Sequence, residues 1–113
     1  MSHPDGLAPG TVWFADLDPT QGREQAGDRP VIIVSSSFHL ELTAGDVATV
    51  LPLTSVCRPG WVHRVQISEN SWVITDQVRT IATRRLRRRA LDLDPAEAEL
   101  AEVRRALTAM LDL

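Results

Sequence analysis

Cysteine is almost missing from this sequence. With Cys57 alone among 113 residues, no disulfide can form within the chain, and Cys57 reads as a small packing residue. A zinc site would have to combine that one thiol with His3, His39 and His63, which lie in different segments without metal-ligand spacing, so no metal and no other cofactor is expected. Lysine is absent too: all twelve basic residues are arginine, a bias that favours planar, bidentate contacts with phosphate. Nowhere do 18 apolar residues run together, and Met1 to Gly10 has neither a basic nor an apolar leader region. These absences exclude a disulfide scaffold, a membrane-spanning helix and a secretory signal, and the expectation is a cytoplasmic protein that makes no use of the membrane.

What is present suits one globular domain over residues 1–113. A chain of this length buries roughly two thirds of the surface that its unfolded form exposes. Its 43% apolar and 24% charged residues give no reason to expect disorder. The net charge of -3 conceals a segregation. Residues 1–78 hold nine acids against four arginines, residues 79–89 hold six arginines and no acid, and residues 90–113 hold six acids against two arginines. A local excess of six positive charges attracts phosphates even in an acidic chain.

Thr11 to Leu17 is β-branched and aromatic and ends at Asp18-Pro19, which reads as a strand followed by a turn. Thr20 to Arg29 is a polar, glycine-containing loop and a candidate lid. The unbroken run Val31-Ile32-Ile33-Val34 then suits a strand buried on both faces. Phe38 to Leu42 has no clear assignment. Val47 to Leu53 is a further strand ending at Thr54-Ser55, His63 to Ile67 alternates like a half-exposed strand, and Trp72 to Thr75 resumes the β pattern. The period changes at the end: Asp94 is placed as an N-cap, Pro95 as the first helical residue and Glu97 three residues after the cap, with Leu100, Val103, Leu107 and Met110/Leu111 on one apolar face. The expectation is a mainly β, α+β fold: a small curled antiparallel sheet or barrel carrying one C-terminal amphipathic helix.

Three stretches carry longer patterns. Gly10-Thr11-Val12-Trp13, continued by Asp18-Pro19-Thr20-Gln21-Gly22-Arg23-Glu24-Gln25-Ala26-Gly27-Asp28-Arg29-Pro30 and the strand to Ser35, is similar to the G-x-V/I-W…DPxxGxEQxGxRPxxVxS signature of the MazF/PemK (Kid-like) toxin family. Leu51-Pro52-Leu53-Thr54-Ser55 and Asp76-Gln77-Val78-Arg79-Thr80-Ile81 resemble two more of its segments. The resemblance implies an SH3-like barrel that forms a homodimer, is held in check by a separate antitoxin chain, and cuts single-stranded RNA at short motifs without metal. In such members the RNA's own 2'-hydroxyl attacks, leaving a 2',3'-cyclic phosphate and a 5'-hydroxyl. It also implies Arg29 and Thr54 as the central catalytic pair, Glu24 as an acid/base helper and Asp76 as a further contributor. Two positions depart from one branch of the family: Ile74 stands where that branch has arginine, and Arg23 where it has histidine.

The residue types suit that chemistry. Attack on a phosphodiester builds negative charge on the phosphoryl oxygens and moves two protons. Arg29 offers a bidentate guanidinium from a backbone that Pro30 restrains to extended conformations; it is a poor acid, so charge stabilisation is its role. Thr54 adds a neutral hydroxyl donor, although a threonine at a strand end is commonly a turn cap. Glu24 shares the loop with Arg29 and can accept the 2'-hydroxyl proton, against a plain reading as a surface carboxylate paired with an arginine. Arg23, Gln25, Ser55, Asp76, Gln77, Arg79, Arg84 and Arg85 are the candidate RNA contacts, with Gln77 read first as structural. The arginine-rich stretch has two readings of equal weight, an RNA groove or antitoxin site and a solvated strand paired with the acidic terminal helix. Trp61 reads as a partly buried core residue ahead of a base-stacking one. Two other functions stay open: a non-catalytic toxin of the same barrel type that poisons a protein such as DNA gyrase, like the CcdB family, and a plain RNA-binding or antitoxin-like adaptor. Neither needs Glu24, Arg29 and Thr54 together.

Overall fold

A computed structural model describes residues 5–17, 28–56, 60 and 63–113. The elements are β1 (Val12–Ala15), β2 (Arg29–Ile33), α1 (Ser37–Leu42), β3 (Val47–Thr54), β4 (Arg64–Ser68), β5 (Ser71–Ile74), β6 (Arg79–Ala82), β7 (Leu86–Arg89) and α2 (Glu97–Leu111). Short 3-10 turns cover Thr83–Arg85 and Leu91–Leu93. All strand pairs are antiparallel, in the order β4-β5-β3-β2-β1-β7, with β6 added to the side of β3.

Strand parity builds a core on each side of this sheet. On one face Val12, Ile32, Leu51, Leu53, Val65, Ile67 and Val73 meet Val103 of α2. On the other, Trp13, Ala15, Val31, Ile33, Ala48, Val50 and Ile81 meet Leu40 of α1 and Leu86. β2 lies between β1 and β3 and sends Ile32 one way and Val31 and Ile33 the other, so its unbroken apolar run is what burial on both faces demands.

Two expectations are corrected here. Among the described residues the sheet does not close: β3 carries β2 on one edge and, on the other, β6 along Val47–Val50 and β5 along Leu53–Thr54, while β4 and β7 end the path unjoined. α2 packs on β4 and on the first core, so that face is buried under a helix instead of by closure. The approach is tight at Gly10, whose φ is +83° and where a Cβ would lie 2.7 Å from Leu100 Cδ2.

The second correction concerns the start of the helix. Asp94 does not cap it. One carboxylate oxygen accepts the Val12 N–H at 2.8 Å and the other meets Arg89 at 2.5 Å, while α2 begins at Glu97 with the Glu99 carboxylate accepting the Ala96 N–H at 2.7 Å. Leu100, Val103 and Leu107 do pack on the core, but Met110 and Leu111 lie beyond it and are 45% and 48% exposed. Among the described helices none is long and apolar enough to cross a membrane.

The unassigned Phe38–Leu42 piece is α1. Ser36 caps it by accepting the His39 N–H, and it stops where Ala44 and Gly45 turn left-handed, with Gly45 N–H returning to Leu40 O and Ala44 N–H to Glu41 O. Only Leu40 of this helix is buried.

Asp94→Ala should cost about 1–3 kcal/mol of stability, because the N–H of the fully buried Val12 loses its acceptor at the same time as Arg89 loses its carboxylate. Urea unfolding checks this, with Asp92→Ala, an exposed neighbour, expected within about 0.5 kcal/mol of the parent.

Candidate active site

β3 explains why a site exists at one end of the sheet. Ala48, Val50, Pro52 and Thr54 share a face by alternation, and the first two are buried in the second core. Beyond that core the same face carries Pro52 and Thr54 into a cleft of about 440 Å³. Arg29, the first residue of β2, lines the same cleft. The β2–β3 register pairs Val31 with Pro52, and continuing it by two residues sets Arg29 opposite Thr54, on the same face.

Arg29 is exposed, and its backbone is set by Pro30 and by pairing of Arg29 with Ala15 of β1. Thr54 is a turn cap that also lines the cleft. Its Oγ1 accepts the Val56 N–H at 3.1 Å, which caps the turn, and its own O–H remains available to donate into the cleft. Ser55 and Gln77 also line the cleft, and the Gln77 N–H returns to Ile74 O at 3.4 Å. Arg79 completes the polar wall. Its Nη2 donates to Leu17 O at 3.4 Å, and Arg85 Nη1 donates to that carbonyl at 3.2 Å, so two arginines hold the Leu17 edge.

Asp76 stands just outside, following Ile74 of the cleft wall. Its Oδ2 is 3.6 Å from His63 Nε2, and His63 is tied to the same corner because its carbonyl accepts both the N–H and the Oγ1–H of Thr75, each at 3.0 Å. The structure therefore brings Arg29, Thr54, Ser55, Gln77 and Arg79 around one cleft, with Asp76 at its border. Arg84 and Arg85 sit on the 3-10 turn after β6 and do not line it. Arg23, Glu24 and Gln25 lie outside the described residues, as do the rest of the candidate lid from Thr20 to Gly27, the turn residues Asp18 and Pro19, His3, Cys57 and Trp61.

The arginine-rich stretch is largely answered by nearby acids. Arg87 reaches Asp16 at 3.0 Å and Asp28 at 3.8 Å, Arg88 lies 4.0 Å from Asp28 and 4.2 Å over the Phe14 ring, and Arg89 holds Asp94. Among the described residues the acids facing this stretch come from the β1 end, the start of β2 and the approach to α2, and none from the terminal helix itself. Three of the six arginines, Arg87, Arg88 and Arg89, thus fold against three carboxylates, and Arg79 is the one placed on the cleft.

Sequence reasoning did not single out Leu17 and Val78, which form apolar wall. Both are ordinary residues in loops, and no local pattern marks them. Chemically the cleft offers two guanidinium groups, two hydroxyls and an amide against apolar walls, which fits a phosphodiester with its attached sugar and base.

Residues 8–111 match the family model described as PemK-like, MazF-like toxin of type II toxin-antitoxin system. The chain is 34% identical to Endoribonuclease MazF9 of Mycobacterium tuberculosis over 115 residues, an alignment spanning 92% of this chain and 95% of the relative. Its fold is similar to that of MazF from Deinococcus radiodurans, with a TM-score of 0.72 at 25% identity over the whole of both chains. It is also similar to an endoribonuclease from a mycobacterial species solved in complex with its cognate antitoxin, with a TM-score of 0.71 at 20% identity over 100% of this chain and 97% of that one.

Proposed function

The chain belongs to the PemK-like, MazF-like toxins of type II toxin-antitoxin systems, and from that premise we propose that its cleft is where an endoribonuclease acts on single-stranded RNA. The observation that carries this reading is the meeting of Arg29 and Thr54, distant in sequence, on one sheet face around one cleft.

The scissile phosphate sits between these two side chains. The 2'-hydroxyl oxygen forms a bond to phosphorus while the bond to the 5'-oxygen breaks, giving a 2',3'-cyclic phosphate and a 5'-hydroxyl end. Arg29 neutralises charge growing on the phosphoryl oxygens, and Thr54 donates its hydroxyl hydrogen to one of them. The proton lost by the 2'-hydroxyl goes to a carboxylate, Glu24, the departing 5'-oxygen takes up a proton from water, and Asp76 supports these transfers from the border of the cleft. Arg79, Ser55, Gln77, Arg23 and Gln25 hold the flanking nucleotides, and Arg84 and Arg85 add attraction for the chain of phosphates. Arginine, hydroxyl and carboxylate groups supply charge neutralisation and proton transfer, so the reaction runs without metal.

The toxin acts in the cytoplasm as a single domain and as a homodimer. Exposed apolar residues on α1 and the last turn of α2, Phe38, Leu42, Met110 and Leu111, supply surface for self-association or for an antitoxin. The mycobacterial endoribonuclease of similar fold is bound to its cognate antitoxin, and this chain has a partner of the same kind. Nothing favours the gyrase-poisoning alternative: MazF9 is named an endoribonuclease, and the Arg29–Thr54 pair has no task in that function.

The purified protein should cut a long unstructured RNA in excess EDTA, with cyclic-phosphate and 5'-hydroxyl ends identified by mass spectrometry. Thr54→Val, which removes one hydrogen bond to a charged group, should slow the cut by roughly 10- to 100-fold. Intact RNA, or products ending in 5'-phosphate, would sink this reading.

A further inference from the structure

Beside Thr54 stands an aromatic residue that the reaction leaves without a task. β3 and β5 pair with Thr54 opposite Trp72, and β5 and β4 pair with Gln66 opposite Trp72. Directly opposed residues of antiparallel strands project from the same face. The alternating neighbours agree: Leu53, Val73, Val65 and Ile67 all enter the first core, so Thr54, Trp72 and Gln66 point the other way, onto the face that holds the cleft. With Arg29 one strand further on, Arg29, Thr54, Trp72 and Gln66 form a row across β2, β3, β5 and β4. Strands lie about 4.8 Å apart, so Trp72 stands about 5 Å from Thr54 and Gln66 about 10 Å from it along the row.

Trp72 is not a core residue. It is half-buried and belongs to neither core cluster, whereas Trp13 is 4% exposed, sits in the second core and donates its ring N–H to Thr11 Oγ1 at 3.0 Å. Gln66 is exposed, with its amide nitrogen 3.4 Å from Glu69 O, and the strand is irregular just after it, between Gln66 and Ser68. Ile74, two residues along β5 from Trp72 and on the same face, lines the cleft itself. The row therefore leads from a phosphate site to an aromatic ring and then to an amide. Unpaired bases are recognised in this way, by stacking on an aromatic face and by hydrogen bonds to the base edge from groups that both donate and accept.

We propose that Trp72 and Gln66 form a base subsite for the nucleotide next to the scissile phosphate, Trp72 stacking on the base and Gln66 reading its edge. This rests on the endoribonuclease reading above. The subsite sets affinity and sequence preference and takes no part in proton transfer.

The test uses the full chain and a short RNA containing its cut site, in which each flanking base is removed in turn to leave an abasic sugar. The parent should lose roughly 5- to 150-fold in kcat/KM at one position beside the cut, the range that stacking of a single base provides. Trp72→Ala should suffer a similar loss on the intact RNA and no further loss on the abasic one. Trp72→Leu, which keeps apolar volume without a π face, should behave like the alanine variant, and Trp72→Phe should keep most of the parent's activity. Gln66→Ala should still cut, with weaker preference for the base at that position. If folded Trp72→Ala and Trp72→Leu proteins cut intact RNA with the parent's KM and retain the abasic penalty, the subsite is wrong while the endoribonuclease reading stands. If the parent itself cuts no RNA, both fall together.

Discussion

Arg29→Ala is expected to lower the rate of RNA cleavage by about 10²- to 10³-fold, the loss that follows removal of one preorganised donor to a developing oxyanion. The fold has little stake in this side chain. Arg29 is exposed at the first position of β2, its strand pairing with Ala15 runs through the backbone, and Pro30 restrains the same backbone whatever side chain precedes it. Stability should therefore stay within about 0.5 kcal/mol of the parent. Single-turnover cleavage of a defined RNA, together with a thermal melt, separates the two quantities. Arg29→Lys should recover only part of the rate, since a point charge replaces a planar fork that engages two phosphoryl oxygens together. Activity of the alanine variant within threefold of the parent would remove Arg29 from the reaction and leave the cleft without its principal cation.

The largest expected effect on stability lies at Ile32. This side chain is fully buried in the core between the sheet and α2, and its strand is flanked on both edges, by β1 and by β3. Ile32→Ala should cost about 2–5 kcal/mol, the sum of lost transfer free energy and the cavity that a paired central strand cannot collapse to fill. Against the 5–15 kcal/mol that holds a typical domain, such a loss puts folding at risk at physiological temperature. Urea denaturation gives the measurement. A loss below about 1 kcal/mol would mean that α2 and the sheet reclose over the gap, and that this core is far more compliant than its burial indicates.

These two residues also illustrate how differently structure was written into the sequence. Ile32 was legible because side-chain period reports burial: a run with no polar break has no face to offer to water, and β2 has none. The same logic found β1, β3, β4, β5 and the terminal helix. It missed β7, since Leu86-Arg87-Arg88-Arg89 presents only one apolar residue, and its attachment to β1 is made through backbone hydrogen bonds that leave no trace in side-chain polarity. It missed α1 because only Leu40 of that helix is buried, too little to set a period, while the Ser36 cap and the turn at Ala44 and Gly45 define its ends. Asp94 carried a sound capping signal and was claimed instead by Val12 and Arg89, partners that only the folded chain brings near.

By itself, then, the sequence determined a mainly β chain with one terminal helix and the strand that is buried twice, because propensity and period are local properties, while Arg29 and Thr54 were singled out by resemblance to family segments. Tertiary structure alone decided three further matters. The sheet stays open because β3 shares one edge between β5 and β6 and a helix covers the face. The arginine-rich stretch is met by Asp16, Asp28 and Asp94, so its excess of charge is much smaller in space than along the chain. The row from Arg29 through Thr54 and Trp72 to Gln66 exists only in the pairing of four strands, since register is a relation between segments and a shift of one residue would turn each of these side chains to the opposite face.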